Sequence, residues 1–136
     1  MKRTLDVSAA TAFDLLSDLR GHGRWIPLTA MSAPARIRRG DVVVARTAGV
    51  FLDRMEITAI EAPHRLRLAK LGPWLLGEAG IDIIDLPRGR CEVHWWERVH
   101  LAGPLPAWAT RAVMRLPLEA MTWLALRRVS RWVNLG

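Results

Sequence analysis

The sequence predicts an α+β protein in which a curved antiparallel β-sheet wraps around one long C-terminal α-helix, with a short helical segment after strand 1. Three observations lead there. Leu105 to Asn134 reads as one long helix with a break near Pro117. Counted at about 100° per residue from Leu118, the residues Leu118, Met121, Thr122, Ala125, Val129 and Trp132 share a narrow arc, and Arg127 and Arg131 lie opposite. Before that helix, from Met31 to Leu101, the apolar period changes to two, the spacing of half-buried strands. Those strands follow one another with no helix between them, which makes a meander and excludes a parallel α/β sheet.

Thr4 to Val7 is short and extended. Ser8 then offers an N-cap for a helix from Ala9 to about Leu19, whose apolar positions Ala12, Phe13, Leu15, Leu16 and Leu19 follow helical spacing before Gly21. Gly21 to Pro27 is a tight connector with room for one helical turn around Arg24. Arg36–Arg39 is expected to end one strand, with Gly40-Asp41 as a hairpin turn. Val42–Val50 and Asp53–Glu61 follow; in the latter, Met55, Ile57 and Ala59 alternate with Arg54, Glu56 and Thr58. Ala62-Pro63-His64 is a turn, Arg65 to Leu68 alternates, and Gly72-Pro73 is a further break. Trp74–Leu86 and Arg90–Leu101 flank a turn at Pro87-Arg88-Gly89. In the last strand Cys91, Val93, Trp95, Glu97 and Val99 point one way, and Glu92, His94, Trp96, Arg98 and His100 the other. Gly103-Pro104 closes the sheet, and Pro106 suits the start of the final helix.

With 136 residues the chain is read as a single domain, 1–136, large enough to bury a core. Seven Trp and no Tyr are unusual, because each buried indole N–H wants a partner; several are therefore expected to line a space. The net charge of +7 is almost all arginine, Lys2 and Lys70 being the two lysines, and the arginines are scattered over what reads as a solvated face. Cys91 is alone, so the chain can form no internal disulfide. No apolar run matches a membrane span and the N-terminus lacks a signal-peptide core, so the protein is expected to be cytoplasmic.

The segment Ser8-Ala9-Ala10-Thr11-Ala12-Phe13-Asp14-Leu15-Leu16-Ser17-Asp18-Leu19, followed by Trp25-Ile26-Pro27, carries a family likeness. So do Ile57 to Leu66, a strand–Glu–Pro–turn–Leu passage, and Arg88-Gly89-Arg90-Cys91-Glu92-Val93-His94-Trp95. Together they resemble the START-like, or Bet v 1-like (SRPBCC), superfamily, and within it the bacterial polyketide cyclase/dehydratase and lipid-transport family. The resemblance covers nearly the whole chain. It implies the helix-grip fold and a hydrophobic cavity between sheet and helix, with no cofactor. Cys91, or Arg90, stands where the family usually has Thr.

Nucleophile elbows, zinc-protease helices and phosphate-cradling glycine loops are absent from the sequence. His22, His64, His94 and His100 are scattered, and His94 and His100 lie about 20 Å apart along one strand, so no metal is expected. Glu97 is the candidate catalytic residue. On the face of Val93, Trp95 and Val99 it would be desolvated, which suits a proton-transfer role. The competing reading is an ion pair with an arginine of the C-terminal helix, or a watered position near the mouth. Asp82, Glu56 and Arg54 are secondary candidates, since a bulge would shift their faces. Trp25, Phe51, Trp74 and Trp95 are expected to line the cavity, with Met55, Met114, Leu118 and Met121 as its adaptable wall.

The leading expectation is binding, and with it transport, of a small hydrophobic ligand such as a lipid or polyketide-like metabolite. A cyclase/dehydratase-type enzyme using Glu97 is the first alternative. A basic module for RNA, the ribosome or an anionic membrane, through Arg111, Arg115, Arg127, Arg128 and Arg131, is the second. Arg111, Arg115 and Arg127 form no single tight stripe beside aromatic platforms, so no nucleic acid is expected. Trp123 and Leu124 fall off the buried stripe of the last helix, which points to a weak homodimer through its outer face.

Overall fold

A computed structural model describes residues 1–26 and 28–135, the last by its backbone alone. Pro27, and with it the end of the Trp25-Ile26-Pro27 motif, lies outside the described residues. The elements run β1 (Lys2–Leu5), α1 (Ala9–Ser17), a 3-10 turn (Leu19–Arg24), β2 (Thr29–Ser32), β3 (Val42–Thr47), β4 (Phe51–Glu61), β5 (Arg65–Pro73), β6 (Leu75–Leu86), β7 (Arg90–Leu101) and α2 (Ala107–Leu135). The seven strands form one curved antiparallel sheet in the order β1-β7-β6-β5-β4-β3-β2, gripping α2. Strands β2 to β7 are a meander, and β1 closes on β7 through Lys2↔His94 to Leu5↔Cys91.

Local chemistry explains most of these boundaries. Ser8 caps α1 by accepting from the Thr11 N–H at 3.2 Å. The β3–β4 hairpin turns through Ala48 and Gly49, both with positive φ, and Val50 N–H reaches back to the Thr47 carbonyl. The β6–β7 turn uses positive φ at Arg88 and Gly89 in the same way.

Three expectations are corrected. No strand forms over Arg36–Arg39; residues 33–41 are a loop whose Asp41 carboxylate accepts from Arg38 N–H, and which bonds to the β4 backbone at Ile57. In β4 a bulge at Thr58 flips the alternation, so Ile60, opposite Leu66, packs on the core instead of Ala59. And α2 runs unbroken through Pro117. A proline costs its helix one hydrogen bond, to the carbonyl of Val113, but Val113 is exposed and water can take that carbonyl.

The core lies on the concave face, where Leu5, Leu16, Val43, Ile57, Leu66, Ile81, Val93 and Trp95 meet Ala125, Leu126 and Val129 of α2. Burial of α2 is uneven. After Pro117, Leu118, Thr122, Ala125, Leu126, Val129 and Ser130 are buried; before it, Thr110 is the one buried residue of the helix. Trp132, expected in the stripe, is exposed and meets Trp25 edge-on. Among the described residues no helix is long and apolar enough to cross a membrane.

Candidate functional site

Alternation places the site. On β5 the inward set begins at Leu66 and Leu68 and continues to Lys70; on β7 it runs Val93, Trp95, Glu97 and Val99. Pairing across β6, with Lys70 opposite Gly77 and Glu97 opposite Ala79, brings the two charged side chains onto one concave surface. Their Nζ and Oε1 atoms lie 3.7 Å apart, and the side chains are only 10% and 7% exposed. Lys70 Nζ also donates to Met55 Sδ at 3.1 Å. Glu97 Oε2 is buried with no hydrogen-bond partner among the described residues. Gly77 permits this close approach of strands: it holds φ +128°, and a Cβ there would strike the Arg98 carbonyl.

Met55, Lys70 and Glu97 line a cavity of about 100 Å³. Leu68, Ala79, Ile81 and Trp95 form the sheet wall, Leu118 and Met121 of α2 the roof, and His22 and Ile26 one side. Thr29, Thr47, Asp53 and Leu75 ring the end where Thr47 is exposed. A wider groove of about 460 Å³ runs alongside, between β7 and the front of α2, lined by Trp108, Arg111, Arg115 and the shared wall of Trp95, Glu97 and Leu118. Lys2 to Leu5 pair with β7 from His94 to Cys91, and Met1 bonds to Trp95 beside this groove.

His22 is a site residue that the sequence reading passed over. Its Nε2–H donates to the Leu16 carbonyl at 2.7 Å, leaving Nδ1 as an acceptor, and its ring lies 5.3 Å from that of Trp95. Burial first, then the charge of Lys70, pushes its pKa down against the opposing pull of the Leu16 bond, so the ring is held neutral. Nothing in the sequence marks this position, because a 3-10 turn offers no alternation to read. Lys70 could have been found by extending the β5 pattern two residues past Leu68.

Of the residues expected at the site, Met55, Trp95, Glu97, Leu118 and Met121 come together around the cavity. Trp25, Phe51, Trp74 and Met114 lie outside its lining. Trp25 is buried, but against Trp132 and beneath Arg24, and its carbonyl accepts from Arg128. Phe51 and Trp74 pack on each other edge-to-face at 5.1 Å near the hairpin ends and remain exposed. Glu97 pairs with Lys70 of β5, across the intervening β6, not with an arginine of α2. Asp82 sits on the convex face, 2.7 Å from Arg67 and accepting from Trp96 Nε1. Burial works to raise its pKa, but the Arg67 and Trp96 hydrogen bonds and the charges of Arg67 and Arg65 hold it below the usual value.

Among the described residues no three His, Cys, Asp or Glu are grouped to hold a metal ion. The arginines of α2 are divided: Arg115 pairs with Glu119, Arg127 stacks over Trp123, and Arg128 is spent on Trp25.

A sequence model of the family described as polyketide cyclase / dehydrase and lipid transport matches residues 1–131. No curated protein matches the chain significantly. Solved structures share its fold at low identity. A START superfamily protein from Mycobacterium smegmatis superimposes with a TM-score of 0.76 at 14% identity, over 99% of this chain and 95% of that one. A protein from Thermobifida fusca gives 0.72 at 14% identity, covering 96% and 88%. The di-domain ARO/CYC StfQ of the steffimycin biosynthetic pathway gives 0.70 at 12% identity, over 98% of this chain and 50% of that one.

Proposed function

Because the chain belongs to the polyketide cyclase / dehydrase and lipid transport family, we propose that it binds a small hydrophobic ligand, a lipid or polyketide-like metabolite, between the sheet and α2. The observation that carries this reading is the buried Lys70–Glu97 pair with one carboxylate oxygen unmet. A wall kept only for packing gains nothing from two charges, each of which costs several kcal/mol to desolvate. A ligand hydroxyl can donate to Glu97 Oε2 while a ligand carbonyl accepts from Lys70, and Trp95, Met55, Leu118 and Met121 supply apolar contact.

The inner cavity of about 100 Å³ is too small for such a molecule alone, since pockets for drug-sized ligands run to roughly 300–1,000 Å³. The ligand therefore extends past Leu118 into the neighbouring groove, which shares Trp95 and Glu97 with the cavity. Native mass spectrometry of freshly purified protein is the test. A co-purifying species, or stabilisation by members of a lipid and polyketide panel, is expected. An empty protein that no member of the panel stabilises would sink the carrier reading.

The unmet oxygen also favours a second reading, in which Glu97 moves a proton in a substrate held folded by the cavity. Glu97→Gln keeps the shape and removes the base. On that reading, turnover of a cyclisable substrate falls by about 10²–10⁴-fold while binding is kept. Equal turnover in the variant removes the assignment.

A further inference from the structure

We propose that the end of the molecule at which the cavity opens is a docking surface for an anionic lipid bilayer. Antiparallel pairing brings the start of β2, the β3–β4 turn, the β5–β6 turn, the end of β7 and the start of α2 to one end. That end is apolar. Leu28 is 78% exposed, Val50 71% and Trp108 75%, and Phe51, Trp74 and Leu105 stand exposed among them. The tight turn at Ala48-Gly49 fixes Val50 at its tip. The opposite end, by contrast, carries Asp41, Glu61, His64, Asp85 and Arg88 in its turns and at the strand ends beside them.

Charge selects the partner. Asp53 is the one carboxylate in these apolar segments, and it is turned inward, accepting from the Trp74 and Leu75 N–H groups at 3.0 Å each. Arg46, Arg54 and Arg111 flank the segments and are exposed, and none makes an ion pair among the described residues. Exposed tryptophans with arginines behind them and no opposing carboxylate match the interfacial layer of a bilayer, where indoles sit at headgroup depth and guanidinium groups meet phosphates. A second copy of this chain would set the same arginines against one another, which disfavours self-pairing through this end. The surface acts whether or not the cavity is filled, so it goes beyond the ligand reading.

The experiment is co-sedimentation with vesicles of phosphatidylcholine alone and of equimolar phosphatidylcholine and phosphatidylglycerol, with brominated lipid as a quencher of tryptophan fluorescence. Binding to the anionic vesicles, weakened by salt and accompanied by quenching, is expected. Trp74→Ser with Trp108→Ser should weaken it by about tenfold or more and remove most of the quenching. Arg46→Glu with Arg54→Glu should weaken it while leaving the quenching of the remaining bound protein intact. All these positions are exposed, and thermal melts of the variants confirm that they fold. Absence of vesicle binding overturns the proposal. So does binding that both variants leave unchanged, or a dimer in sedimentation velocity that the tryptophan variant dissolves without any vesicle binding.

Discussion

At the scale of single residues, Lys70 and Glu97 are the least economical choice in the core. Each is desolvated, and their 3.7 Å separation is too long for a strong charge-assisted bond. Removing one partner strands the other. Glu97→Leu is therefore expected to destabilise the protein by about 3–5 kcal/mol, whereas Lys70→Met with Glu97→Leu should be neutral or stabilising. Denaturant unfolding of the two single variants and the double variant checks this, and a double variant as unstable as the worse single one contradicts it. If the double variant is also unable to take up ligand, the pair is kept for recognition at the expense of stability.

At the scale of elements, legibility tracked regularity. β7 could be read from end to end because twelve residues alternate without a bulge, and this was enough to place Glu97 on the inner face. β4 could not, since one extra residue at Thr58 reverses every side chain after it, and no local signal announces a bulge. Arg36–Arg39 looked like a strand because Ile37 alternates with arginines, yet Ile37 is buried from a loop. Phe51 and Trp74 looked like cavity wall because aromatic residues usually seek burial; their position at strand ends decided otherwise. On α2 helical spacing sets Trp123 and Leu124 off the buried stripe; Trp123 is exposed beneath Arg127, while Leu124 is half-buried. The proposed weak self-association through this face predicts a dimer in sedimentation velocity at roughly tens of micromolar. Trp123→Glu with Leu124→Glu should abolish it, and wild type running as a monomer would dismiss the contact.

At the scale of the whole molecule, the buried histidine ties stability to pH. Burial holds His22 below the ordinary histidine value of 6.5, and His94 is lowered in the same direction by burial, the N-terminal ammonium and Lys2. The unfolded chain therefore takes up these protons first. The stability these two histidines contribute is complete above about pH 6.5 and is lost as the pH falls from there toward their folded pKa values. Asp82, whose folded pKa is lowered from 3.8, contributes stability that goes only at more acid pH. Thermal melts between about pH 7.5 and 5 should show a falling midpoint in the wild type. The fall should shrink with His22→Gln and shrink further when His94→Gln is added. An unchanged slope in the double variant would mean that other groups set it.

The uneven burial of α2 on either side of Pro117 makes one geometric helix into two cooperative units. The back half is tied to the core through Ala125, Leu126 and Val129, so its amides open only when the whole protein unfolds. The front half has one buried side chain before Pro117 and lacks one backbone bond at the proline. It should therefore detach by sub-global fluctuation. In native-state hydrogen exchange, amides of residues 111–116 should exchange with free energies well below the global value, and those of 122–133 should match it. Equal protection along the helix would refute this. If the difference is found, the groove beside β7 has a mobile bank, and a guest larger than the resting cavity enters by displacing a segment whose departure leaves the core intact.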